Sequence, residues 1–389
     1  VFYHVGSKNE QAGRSGFAHF FEHLLFEGSD NIKRGEFMKY VSSNGGQNNA
    51  TTSQDRTFYY EVFPSNQLKL GLWLESERMM HPVINEVGVK TQNEVVKEEK
   101  RMRIDNQPYG HILEQAFSKL FTKHPYHWQP IGSMADLDAA KLEEFRAFFK
   151  KYYVPNNAVL TITGDINIEE TKKLVADYFS AIPKGPAVVQ PSVMEAPITK
   201  EIVDTGYDAN IKIPAILTAY RTPGLATHDS RVLQFITAYL SGGASSKLYK
   251  KMVDDKKNAL QVGAFNLALE DYGAYITFAL PNNNTPLPDL LKDIDDEIVK
   301  VQTDLISEQD YKKLLNKFEN DFVNNNTSML GVARNLSDSY VYYKNTNYIN
   351  EELNAMRKIT REEIKSVAKK YLNPNQRVVI YYLPKSSDQ

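Results

Sequence analysis

Residues 17 to 26 read FAHFFEHLLF, and three of the ten can do chemistry: His19, Glu22 and His23. On a helix His19 and His23 stand one turn apart on the same face, with Glu22 next to the second in sequence. All the other positions, from Phe17 to Phe26, are apolar. Ionisable groups on an apolar helix are costly unless compensated, and a divalent cation held by two imidazoles compensates them. The alternative is a pair of core histidines beside a half-exposed Glu.

Two imidazoles do not complete a catalytic metal site, which needs a third protein ligand and an open position. The segment TQNEVVKEEKRMRID supplies a candidate. Val95, Val96 and Met102 are expected to form one apolar stripe, and Glu99 falls on it, whereas Glu98 points away with Lys97, Lys100 and Arg101. A carboxylate facing inward among Val and Met calls for a cation. Composition narrows the metal chemistry further, because the 389 residues include eight His and no Cys. Disulfide scaffolds, thiolate zinc sites, iron–sulfur clusters and a cysteine nucleophile are excluded, so a metal must be held by His and carboxylates.

The net charge of −2 gives no electrostatic case for nucleic acid. No run of about 18 apolar residues is present to form a membrane-spanning helix. The chain opens at Val1 inside an alternating, strand-like run, so the start of the protein is expected upstream. Compartment stays open between cytosol and periplasm, which zero Cys fits equally.

The elements that must position these residues fall into two halves. PKGPAVVQPSVMEAPI, residues 183 to 198, carries four prolines in sixteen residues and forbids regular helix or central strand. It predicts an N-terminal domain over 1–185 that carries the candidate metal and catalytic residues, a linker at 186–197 and a related C-terminal domain over 198–389 without that motif. An internal repeat supports the division: EEFRAFFKKYYVPN ending at Asn156 returns as EEIKSVAKKYLNPN ending at Asn375, 219 positions later. Helical patterns cover about 14–27, 34–43, 66–80 and 86–105 in the first half and continue up to 153, with an opening strand, a strand over 49–63 and a returning strand after 153. In the second half, strands are expected at 211–220, 259–269 and 274–280, and helices at 229–241, 246–253, 286–305, 308–322 and 361–371. Because strands and helices do not alternate regularly, the expected class is α+β: two related sandwich domains, each a mostly antiparallel or mixed sheet with helices on one face.

With these pieces in order, the chain resembles the pitrilysin family of metallopeptidases, whose zinc helix carries H-x-x-E-H. The resemblance runs through VGSKNEQAGRSGFAHFFEHLLFEGS, GGQNNATTSQDRTFYY, EVVKEEKRMRIDNQPYG, HPYHWQPIGS and YYVPNNAVLTITGD, and so covers nearly the whole chain. It implies one zinc per chain held by His19, His23 and Glu99, with Glu22 as the general base for the attacking water. It also implies that Asn49, Ala50, Thr51 and Thr52 form an edge strand on which an extended peptide binds by β-augmentation. The implied activity is a zinc endopeptidase acting on peptides or unfolded polypeptides.

Departures qualify that implication. Where the family usually carries an Arg and a Tyr in its second domain, this chain has Val253 and Leu260, and neither aliphatic side chain offers a donor. Gln92 stands where many members have an acidic residue. Family members of this length are half-size, so the resemblance implies a heterodimer with a homologous half-size subunit that supplies the Arg and Tyr. A homodimer, or a non-catalytic assembly or peptide-binding role, is the alternative. His124 and His127 in HPYHW have metal-like spacing, but Pro125 bars a regular helix there and the segment reads as structural.

Overall fold

The computed structural model describes residues Val1 to Lys385. Its strands are β1 (Phe2–Tyr3), β2 (Gln47–Thr52), β3 (Thr57–Val62), β4 (Ala158–Val159), β5 (Ile202–Asp208), β6 (Ala215–Pro223), β7 (Ala259–Ala268), β8 (Tyr272–Pro281) and β9 (Arg377–Pro384). They form two sheets, ordered β2-β3-β1-β4 and β5-β9-β6-β8-β7. All neighbours are antiparallel except β5 and β9. Read from its other edge, the second sheet runs β7-β8-β6-β9, which repeats β2-β3-β1-β4 strand for strand in chain order. The internal repeat is therefore one of architecture, and the class is α+β with two mixed or antiparallel sheets.

The helices that build the cores and the site are α1 (Phe17–Leu24), α2 (Leu68–Met80), α3 (Glu86–Lys100), α4 (Ile112–Leu120), α5 (Leu142–Tyr152), α6 (His228–Ser241), α7 (Leu287–Thr303), α8 (Met329–Tyr343) and α9 (Arg361–Tyr371). Packing divides the chain into two compact units. The first comprises Val1–Arg101, His124–Val193 and Asn325–Thr346; the second comprises Met102–Lys123, Met194–Asn324 and Asn347–Gln389. The boundaries thus differ from the contiguous stretches 1–185 and 198–389 read from the prolines.

The reason lies in the two faces of each sheet. In the first unit, Tyr3 and Tyr59 face α1, where the Tyr59 hydroxyl donates to the Phe21 carbonyl at 2.7 Å. Phe2 and Phe58 face the other way and are equally buried, so that face also needs a cover. Helix α8 provides it: Val341 joins Phe2 and Phe58 in a small apolar cluster, and the Tyr342 ring meets Phe2 edge-on at 5.9 Å. In the second unit α6, α7 and α9 build the core on one face of the sheet. Helix α4 packs on the opposite face, where Arg221 of β6 donates from Nε to the Leu120 carbonyl at 3.1 Å. Each unit thus borrows one helix from the other half of the sequence, and α4 and α8 are themselves about one repeat length apart.

Two local readings also change. The single strand expected over 49–63 is a hairpin, because Ser53–Arg56 turns the chain and returns it as β3 with Thr52 opposite Thr57. Strand β5 and helix α8 were not anticipated, since Ile202–Asp208 alternates weakly and α8 is interrupted by polar residues on every turn.

Candidate metal centre

Helix α1 begins at Gly16, whose φ of 93° lies in the left-handed region. A Cβ there would sit 2.9 Å from the Ile131 carbonyl oxygen, so Gly16→Ala should cost about 1–3 kcal/mol of stability, measurable as a lowered thermal midpoint. Gly16 at the N-cap has no side chain to accept from the first amides, and the Glu10 carboxylate does so instead, accepting from the Gly16 and Ala18 amides at 2.8 Å each. Burial pushes the Glu10 carboxyl up to about 8, while the two amide donors pull it down.

The apolar side of α1 is clamped on α5. Phe17 stacks on Phe145 with ring centroids 4.5 Å apart, Phe20 meets the same ring at 4.7 Å, and Phe21 meets Tyr153 at 5.0 Å. Each fully buried Phe contributes roughly 1.5–3 kcal/mol, enough to fix the rotation of a helix only eight residues long. That rotation turns His19 and His23 to the remaining side, with ring centroids 4.9 Å apart and planes nearly perpendicular.

Helix α3 brings Glu99 to them. Val96 is fully buried and packs in the same core as Leu24, while Gly88 lets the two helices approach closely. The expected three-residue stripe is not present: Val95 is 43% exposed and Met102 56% exposed. Val96, with Gly88 and the partly buried Val89 on the same side, orients the helix inward, and Glu99, three positions later, shares its face. Gln92, on that side too, donates from Nε2 to Glu27 Oε1 at 2.5 Å. Glu27 is therefore a partner that the sequence reading missed, and no periodic signal pointed to it.

Glu99 Oε2 lies 3.0 Å from His23 Nε2 and 3.4 Å from His19 Nε2. The three side chains can offer ligand atoms all within 4.8 Å of one another. Donors held at about 2.0–2.2 Å around a tetrahedral zinc are about 3.4 Å apart, so two imidazoles and a carboxylate at these separations fit the ion. The imidazoles hold the Glu99 carboxyl well below the usual carboxylate range. His19 is 8% exposed and its Nδ1 has no hydrogen-bond partner among the described residues, so packing rather than an outer carboxylate orients that ring.

Glu22 completes the group on α1. Its Oε2 accepts a hydrogen bond from the Thr52 hydroxyl at 2.6 Å, which ties the helix to the outer strand of the sheet. Strand β2 is an edge, so residues 49 to 52 lie on the rim of the first sheet. Ala50 and Thr52 stand opposite Tyr59 and Thr57 and face α1; Asn49 and Thr51 face α8. Thr51 Oγ1 accepts from Arg56 at 2.8 Å, and the Asn49 carboxamide oxygen accepts the Ala50 amide at 2.8 Å.

The turn after β2 is anchored from below. Lys8 and Asp55, both almost fully buried, form an ion pair at 3.2 Å, and the Tyr126 hydroxyl donates to Asp55 at 2.5 Å. His124 is fully buried with its Nδ1 accepting the Tyr126 amide, which is what the HPYHW segment does here. In the second unit, Val253 is half-buried against the core, and Leu260 is 52% exposed beside a bulge in β7. Neither carries a donor.

His19, His23 and Glu99 could offer a metal ion three ligand atoms beside a sheet edge, and the chain is similar to known proteins over nearly its whole length. Residues 1–129 match the family profile described as insulinase, peptidase family M16, and residues 139–318 match the profile described as the peptidase M16 inactive domain. The chain is 30% identical over 390 residues to the zinc protease PqqE of Helicobacter pylori, covering 99% of this chain and 87% of that protein. It superposes on the crystal structure of a protease from Helicobacter pylori with a TM-score of 0.92 at 29% identity, covering 98% and 92% of the two chains. Pitrilysin shares the fold at a TM-score of 0.76 and 18% identity, with 98% of this chain matched to 42% of that one. The chain belongs to the insulinase family, peptidase family M16. No helix among the described residues is long and apolar enough to cross a membrane.

Proposed function

We propose that this chain is the metal-bearing half of a zinc-dependent endopeptidase that hydrolyses peptides or unfolded polypeptides. The observation that carries the reading is the meeting, within one unit, of His19, His23 and Glu99 with Glu22 beside an exposed strand edge. His19, His23 and Glu99 would hold one zinc, which when bound acts as a Lewis acid on the scissile carbonyl and acidifies water.

The remaining work falls to the protein. Strand β2 binds an extended peptide through backbone hydrogen bonds, which gives affinity with little side-chain specificity. Glu22 takes the proton of the attacking water and returns it to the leaving amine. Oxyanion stabilisation is where this chain falls short, because Val253 and Leu260 supply no donor. A second half-size subunit with Arg and Tyr at those positions makes up the deficit. The matching of this chain to less than half of pitrilysin fits a half-size subunit.

Hydrolysis of an unstructured polypeptide, measured for the chain alone and with its half-size partner, tests the assignment. Activity should rise at least about a hundredfold with the partner, the scale of removing or restoring one oxyanion donor. Full activity from the chain alone overturns the partner requirement. The second reading, a non-catalytic assembly or peptide-binding subunit, is favoured by the Val253 and Leu260 positions and by the inactive-domain match over 139–318. A chain that takes up no zinc under metal-replete conditions would support it.

A further inference from the structure

Residues 49–52 share one strand on the rim of the first sheet, yet Thr52 is placed differently from its neighbours. It is the last residue of β2, it faces α1, and its hydroxyl donates to Glu22 Oε2 at 2.6 Å. Thr52 is β-branched and sits in a strand, so its χ1 is restricted and the donor stays aimed at one point. Glu22 carries three side-chain torsions and is half-exposed, so α1 alone does not fix its carboxylate. A charge-assisted hydrogen bond to one oxygen selects a rotamer and leaves the other oxygen to take the proton. The other end of the anchor is rigid: Thr52 lies opposite Thr57, whose hydroxyl donates to the Val5 carbonyl at 2.9 Å.

We propose that Thr52 is a positioning residue for Glu22, holding the general base in register with the strand edge on which the peptide lies. The inference rests on the peptidase reading above. Because Thr52 belongs to the strand that would pair with substrate, the scissile bond and the base share one rigid reference, and a shift of one carries the other.

The test uses the full chain with its half-size partner and compares Thr52→Val, which removes the donor but keeps the shape, with Thr52→Ser, which keeps the donor. Thr52→Val should lower kcat by roughly tenfold or more with KM within about twofold, zinc content equal to wild type, and Thr52→Ser recovering most of kcat. An unchanged kcat in Thr52→Val, a loss confined to KM, or a Ser variant as impaired as the Val variant would overturn the positioning role while leaving the peptidase reading intact. A wild type that hydrolyses nothing overturns both.

Discussion

Glu22→Gln is expected to keep its zinc and lose hydrolysis by roughly 10²–10⁴-fold, the range that a positioned general base contributes. Gln fills the same volume and can still accept from Thr52, so the fold and the ligand cluster should be undisturbed. It cannot take a proton at neutral pH, which isolates the base from the site that surrounds it. His19→Ala is the complementary variant: removing one of three ligands should abolish stoichiometric zinc as measured by elemental analysis, and activity with it. The pair separates two functions on one eight-residue helix. Zinc retained in His19→Ala would contradict the ligand assignment, whereas activity retained in Glu22→Gln would contradict the base.

The second large effect concerns stability, at the turn beneath the strand edge. Lys8 and Asp55 are buried at 0% and 2% exposure, and removing one member of such an ion pair costs about 3–5 kcal/mol. Asp55→Ala also takes away the acceptor of the Tyr126 hydroxyl. The expected result is a clearly lowered thermal midpoint together with weaker substrate binding, because the turn that fixes the end of β2 loosens. A double variant, Lys8→Met with Asp55→Leu, should recover part of the stability, since well-packed apolar side chains can replace a buried pair at little cost. Should the double variant be no better than Asp55→Ala, packing rather than charge would explain the loss.

Much of this is legible in the sequence. The helix Phe17–Leu24 is, because His19, Glu22 and His23 are close in sequence and their helical spacing alone sets their faces. The inward face of Glu99 is legible only in part: Val96 does point inward, but Val95 and Met102 are exposed, so the apolar stripe is narrower than the sequence suggests. The turn at 53–56 was hidden because Ser-Gln-Asp-Arg lacks the Gly or Pro that announces a tight hairpin. Glu10, Glu27 and Lys8 were invisible for a different reason. Each acts on a residue far along the chain or on backbone amides, and no periodicity in the sequence encodes such a meeting.

The same limit explains the domain boundaries. Proline content marks residues 183–198 as chain without regular structure, but it could not show that α4 and α8 each pack in the unit built mainly from the other half of the sequence. Cutting the gene at that segment would therefore not yield two independent halves. A fragment ending near residue 185 would keep every proposed metal ligand while leaving Phe2 and Phe58 open to water, and such an uncovered apolar face favours aggregation over a free, folded, metal-binding fragment. Co-expression of both fragments, each returning the other's missing helix, is the arrangement under which a split chain would assemble.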